Sequence, residues 1–147
     1  MIRLLAMLLA ALILFCGCDV DWPDEYRSAV VEGTIEFDGA SLVDADIVFL
    51  PQRFDNGAKR VPIAVGKTDA QGKFLLRTDL ESRDAAPQVL HGNYRVLVSR
   101  KVDGKELIPE SYNRKSLLQF KHDTQEAYSR PVFKLTSDGR VEWEPDA

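Results

Sequence analysis

The feature that most restricts the fold is a period-two alternation of apolar and polar residues, cut into short runs by turn residues. From Ala29, the side chains of Val31, Gly33, Ile35 and Phe37 share one face of an extended segment, and Glu32, Thr34 and Glu36 share the other. Asp38-Gly39 closes that run. Ala45 to Leu50 is a second run, stopped by Pro51, which has no amide hydrogen to give a ladder. Val61 to Thr68 is a third, with Pro62 marking an edge or a strand start. Asp69-Ala70-Gln71-Gly72 turns the chain into Lys73 to Thr78, with Phe74 and Leu76 inward. Asn93 to Val102 is the clearest run, with Tyr94, Val96 and Val98 on one face. Asp103-Gly104 then turns into Glu106-Leu107-Ile108, which stops at Pro109. Leu117 to His122 is a fainter strand. Val132 to Thr136 sends Phe133 and Leu135 one way and Val132 the other, and Ser137-Asp138-Gly139-Arg140 turns into Val141-Glu142-Trp143.

About seven to eight short strands with turn signals every 8 to 12 residues or so, and no long helical period, predict an all-β fold. The irregular stretches at 79–91 and 109–116 suit crossovers between sheets, so an antiparallel two-sheet β-sandwich is expected rather than a barrel. Asp38, Asp44, Asp69, Asp103 and Asp138 fall at turns, where aspartate can accept hydrogen bonds from nearby backbone amides. Each reads first as a turn former.

The chain begins differently. Arg3 is followed by an unbroken apolar run of twelve residues, Leu4 to Phe15, and then by Cys16-Gly17-Cys18. A charged start, a short apolar stretch and small residues make a secretory signal. Twelve helical residues cover about 18 Å, too little to span roughly 30 Å of hydrocarbon. The tetrad Phe15-Cys16-Gly17-Cys18 resembles a bacterial lipobox, in which a small residue precedes the cysteine that is lipid-modified. Gly17 stands at the cleavage side and Cys18 at the modified position, while Phe15 and Cys16 depart from the usual Leu and Ala or Ser. Residues 1–17 are thus expected to be removed as a lipoprotein signal peptide and Cys18 to carry the lipid. That leaves 130 of 147 residues, with no thiol free to form a disulfide, so stability has to come from the core. Residues 18–29 read as an acidic tether containing Trp22, Pro23 and Tyr26, and residues 30–144 as the sandwich domain.

Charge and chemistry narrow the function. The formal net charge is −4, from 19 basic and 23 acidic residues, and no basic run occurs. Nucleic acid is therefore not an expected partner, since phosphate contacts need clustered Lys and Arg. The chain has two histidines, His91 and His122, and a zinc site would need both plus carboxylates. No serine lies in a nucleophile elbow, and neither a P-loop nor a dinucleotide fingerprint is present. The best candidates for a metal are Asp38, Asp44 and Asp46, close in sequence but without EF-hand spacing; they read first as solvated edge acids, so no metal and no cofactor are expected. Arg100, Lys101 and Lys105 form a small basic cluster that could face anionic headgroups. Trp22, Tyr112, Tyr128 and Trp143 are the candidates for an aromatic carbohydrate platform.

Four stretches carry a family resemblance: VEGTIEFDGASLVDADIVFLP at 31–51, GKTDAQGKFLLRT at 66–78, HGNYRVLVSRKVDGKELIPESYN at 91–113 and FKLTSDG at 133–139. Together they cover most of 30–139 and resemble the small lipoproteins with a transthyretin-like, or carboxypeptidase-regulatory-like, domain that abound in planctomycetes. The resemblance implies a transthyretin-like or immunoglobulin-like sandwich held by a lipid anchor in the bacterial cell envelope. The expected role is non-catalytic, either binding an envelope protein or polysaccharide or acting structurally. A surface carbohydrate-binding module is the alternative. Transthyretin-like folds also include a hydrolase of a purine-breakdown intermediate, which relies on histidines and a C-terminal tetrapeptide; Glu144-Pro145-Asp146-Ala147 lacks that signature.

Overall fold

The computed structural model of the chain describes residues 28–52, 62–78, 88–122 and 127–141. The expected leader with Gly17 and Cys18, the expected tether with Trp22, and Trp143 lie outside the described residues. The strands, in chain order, are β1 (Ser28–Phe37), β2 (Ala40–Ser41), β3 (Asp46–Pro51), β4 (Ala64–Lys67), β5 (Lys73–Leu75), β6 (Arg77–Thr78), β7 (Val89–Leu90), β8 (Gly92–Ser99), β9 (Lys101–Val102), β10 (Lys105–Glu106), β11 (Gln119–His122), β12 (Tyr128–Ser129) and β13 (Val132–Leu135). Among the described residues one 3₁₀ turn, Glu110–Tyr112, interrupts them. Among the described residues no helix is long and apolar enough to cross a membrane.

The fold is all-β, with two sheets facing each other. One is organised around β1, whose alternating burial follows its sequence pattern. Along one edge of β1, β2, β5 and β7 pair antiparallel to successive stretches. Along the other, β12 and β13 pair in parallel, with Val30 opposite Tyr128 and Phe37 opposite Leu135. The second sheet runs β11-β8-β3-β4-β6 and is antiparallel throughout. The parallel closure of β1 by the last two strands departs from a purely antiparallel sandwich. Alternation reports which face a residue takes, not the direction of the strand beside it, and parallel partners need a crossover rather than a hairpin.

A second departure lies at Lys73–Thr78, expected as one strand. Its first half, β5, pairs with β1, and its second half, β6, pairs with β4 in the opposite sheet. Leu76 sits at the switch, fully buried, donating its amide to the Val31 carbonyl at 3.0 Å. The inward pattern of Phe74 and Leu76 survives because both sheets bury the same phase of this run against one core.

That core is a single cluster. Val31, Ile35, Phe74, Phe133 and Leu135 come from the β1 sheet, and Ile47, Phe49, Tyr94, Val96 and Val98 from the other. Phe49 is the hub, its ring centroid 5.2 Å from Phe120, 5.8 Å from Tyr94, 6.1 Å from Phe133 and 6.5 Å from Phe74. Each fully buried side chain of this size contributes about 1.5–3 kcal/mol by leaving water. Among the described residues, these core side chains and the strands lie between Ser28 and Leu135.

Candidate functional site

The two ends of the sandwich differ. Ser28 lies opposite Leu90, Pro51 opposite Tyr94, Thr78 opposite Ala64, His122 opposite Gly92, and Tyr128 opposite Val30. These registers put the start of β1, the ends of β3, β6 and β11 and the starts of β4, β7, β8 and β12 at one end. The tight turns that follow β1, β4, β8 and β13 lie at the other.

That far end gathers the aspartates expected to form turns. Asp38 (φ 51°), Asp44 (φ 60°) and Asp103 (φ 51°) take left-handed backbone conformations, which aspartate tolerates better than most residues. Asp38 Oδ1 accepts from the Ser137 amide at 2.8 Å, tying the β1–β2 turn to the one after β13. Asp69 Oδ1 accepts from the amides of Gln71 and Lys73 at 2.8 and 2.9 Å, and Asp138 Oδ1 accepts from the Arg140 amide at 3.1 Å.

The three metal candidates do not converge. Asp38 faces Ser137, and Asp44 forms an exposed ion pair with Lys67 at 2.8 Å. The hydrogen bond and charge of Lys67 hold the Asp44 carboxyl below its usual range. Asp46 is exposed, opposite Lys67 on one side and Ser99 on the other. Among the described residues no three His, Cys, Asp or Glu side chains are grouped so that they could hold a metal ion.

The two histidines behave otherwise. His91 and His122 are 31 positions apart, yet their ring centroids lie 4.5 Å apart, edge to face, at the end where β1 begins. Both are buried. They meet because His122 pairs with Gly92, the neighbour of His91, in the β11–β8 ladder. Sequence separation concealed this contact, and only the strand register reveals it.

The aromatic platform loses one member. Tyr112 is fully buried; its hydroxyl donates to the Arg140 carbonyl and lies 3.1 Å from the Thr136 hydroxyl. A ring on the 3₁₀ turn has no period-two phase to signal its direction. Tyr128 is exposed, but Arg130 lies 4.9 Å over its ring and its hydroxyl donates to Glu32 at 2.6 Å. Trp22 and Trp143 are outside the described residues.

The basic cluster sits on the β9–β10 hairpin, at the end away from the start of β1. Glu106 organises that hairpin: its carboxylate accepts from the Ser99 hydroxyl at 2.5 Å, the Arg100 amide at 2.9 Å and the Ile108 amide at 3.1 Å. Burial works against the charged form, but these hydrogen bonds, with one from Asn113, outweigh it and hold the carboxyl below its ordinary value.

No protein-family model matches this sequence, and no curated protein matches it. Among solved structures, a 9R-lipoxygenase from Cyanothece PCC8801 is similar at 19% identity and a TM-score of 0.37. The match covers 80% of this chain but only 17% of the lipoxygenase chain, and a likeness at that level bears on neither the fold nor the function of this protein. The described residues define an all-β, two-sheet sandwich on their own registers and core.

Proposed function

We propose that this protein is a lipid-anchored β-sandwich of the bacterial cell envelope, of the transthyretin-like or carboxypeptidase-regulatory-like kind, with a binding or structural role rather than a catalytic one. The observation that carries the reading is Cys16-Gly17-Cys18 directly after the apolar run Leu4–Phe15. A diacylated or triacylated Cys18 holds firmly, where a single chain would bind only marginally. The start of β1 ten residues after Cys18, at one end of the sandwich, suits a domain hung from such an anchor.

The domain then works at a fixed surface. Its task is contact with an envelope protein or a polysaccharide. Metabolic labelling with palmitate, in the wild-type chain and in Cys18→Ser, tests the anchor. Label in the wild type and none in the variant is expected; equal label in both overturns the reading. Crosslinking from native membranes then names the partner.

A further inference from the structure

The outer face of the five-stranded sheet is apolar where a solvated face should alternate to polar. The registers set Leu97 beside Val48 and Val48 beside Val65. Continuing the β11–β8 register two residues back from the Gln119–Arg95 pair brings Leu117 beside Leu97. This row crosses four strands, about 14 Å at the usual strand spacing. In the next row toward the tether, Leu50 has Arg95 on one side and, one step beyond the Phe49–Ala64 pair, Ile63 on the other. Leu117 is 66% exposed, Ile63 40% and Val65 38%. An aligned apolar patch of this kind, rimmed by polar residues, marks a contact surface rather than scattered surface leucines.

The rim is basic. Arg77 lies opposite Val65, Arg95 opposite Leu50, and Lys121 opposite Asn93 on β8. All three are exposed, and none forms an ion pair among the described residues. Lys67 adds a fourth cation to the face, beside its acidic neighbours Asp44 and Asp46. The chain as a whole is acidic, at −4, so this concentration of positive charge around the apolar row is local.

We propose that this face rests on the anionic headgroup surface of a phospholipid bilayer. The Leu117–Val65 row enters the boundary between headgroups and acyl chains, and Arg77, Arg95 and Lys121 meet the phosphates. Basic side chains around an apolar strip are what an interfacial contact with anionic lipid requires. Reach supports the same occupant. Ser28 is ten residue steps beyond Cys18, at most about 33–36 Å when extended, so a sandwich on that tether can lie on its side against the bilayer. The inference rests on the anchor reading only for this placement, and its test omits the anchor.

The test uses the chain from Asp19 to Ala147, which keeps every described strand and core residue but has neither the apolar run nor a cysteine, with vesicles of phosphatidylcholine alone or mixed equally with phosphatidylglycerol. Co-flotation with the mixed vesicles and not with phosphatidylcholine is expected. Arg77→Glu/Arg95→Glu/Lys121→Glu should cut the bound fraction at least about tenfold, and Val65→Ser/Leu117→Ser should also weaken it. Lys73→Glu/Lys134→Glu, on the outer face of the β1 sheet, should leave it unchanged. Equal flotation on both vesicles, no flotation on either, or equal losses from the two sets of charge reversals would overturn the proposal. A failed palmitate experiment would leave this result standing, so the two readings fail separately.

Discussion

Phe74 lies so close to the backbone of Gly33 that a β-carbon there would sit 2.5 Å from the ring's Cζ, and 2.4 Å from the Pro131 carbonyl oxygen. Both contacts are below any ordinary van der Waals distance, and one of them is backbone. Gly33 is thus the point where β1 passes between the core ring and the segment leading into β13. Gly33→Ala is expected to destabilise the fold by about 1–3 kcal/mol, the usual range for overpacking. A fall in the urea midpoint with an unchanged slope is the readout. Phe74→Leu in the same chain should relieve the ring contact but not the carbonyl contact, so it should recover only part of that loss.

Tyr112 closes the far end of the sandwich through its hydroxyl. It accepts from the Thr136 amide at 3.2 Å and donates to the Arg140 carbonyl. Tyr112→Phe keeps the buried ring and removes both bonds, leaving the Thr136 amide without this acceptor. A loss of about 1–3 kcal/mol is expected. Amide exchange at Thr136 and in the turn after β13 should speed up more than at β3 or β8, because the change is local; uniform acceleration across the core would contradict this role.

The burial phase of the strands was legible in the sequence, because alternation needs no knowledge of neighbours. Val31, Ile35, Phe74, Tyr94, Val96, Val98, Phe133 and Leu135 are buried as the pattern required. Pairing was not legible. The parallel closure of β1 by β13, the sheet switch at Leu76 and the meeting of His91 with His122 all depend on which strand lies beside which. Even the apolar outer face left only a faint trace: Ile47, Val48, Phe49 and Leu50 are apolar in both phases. That Val48 lines up with Leu97 and Val65 follows from register alone. The Cys18 reading is of another kind, a local pattern complete within residues 1–18 that no fold is needed to recognise.

Thr68 ties the third strand to the fourth. Its Oγ1 accepts from the buried Ala45 amide at 2.8 Å, while its own amide donates to the Ala45 carbonyl at 2.9 Å. Thr68→Val preserves shape and backbone pairing but strands the Ala45 amide in the core. A cost of about 1–3 kcal/mol is expected, the penalty for an unmet buried donor. Thr68→Ser, which keeps the oxygen, should recover most of that loss. If serine is as damaging as valine, the methyl group rather than the hydroxyl is what matters.

Glu106 makes the β9–β10 hairpin sensitive to acid. Its carboxyl in the folded chain ionises below the ordinary value of 4.5, because Ser99, Arg100 and Ile108 donate to the charged form. A depressed folded value means that the stabilisation is fully present above about pH 4.5 and is lost as the pH falls through the folded value. The Arg100 and Ile108 amides should therefore exchange faster, relative to other amides, as the pH drops below that point, while the β3–β8 ladder is unaffected. Glu106→Gln retains an acceptor oxygen but has no charge to lose, so in that variant the pH dependence at Arg100 and Ile108 should vanish. Exchange at these two amides that keeps the same pH profile in the wild type and in Glu106→Gln would assign the acid response to another group.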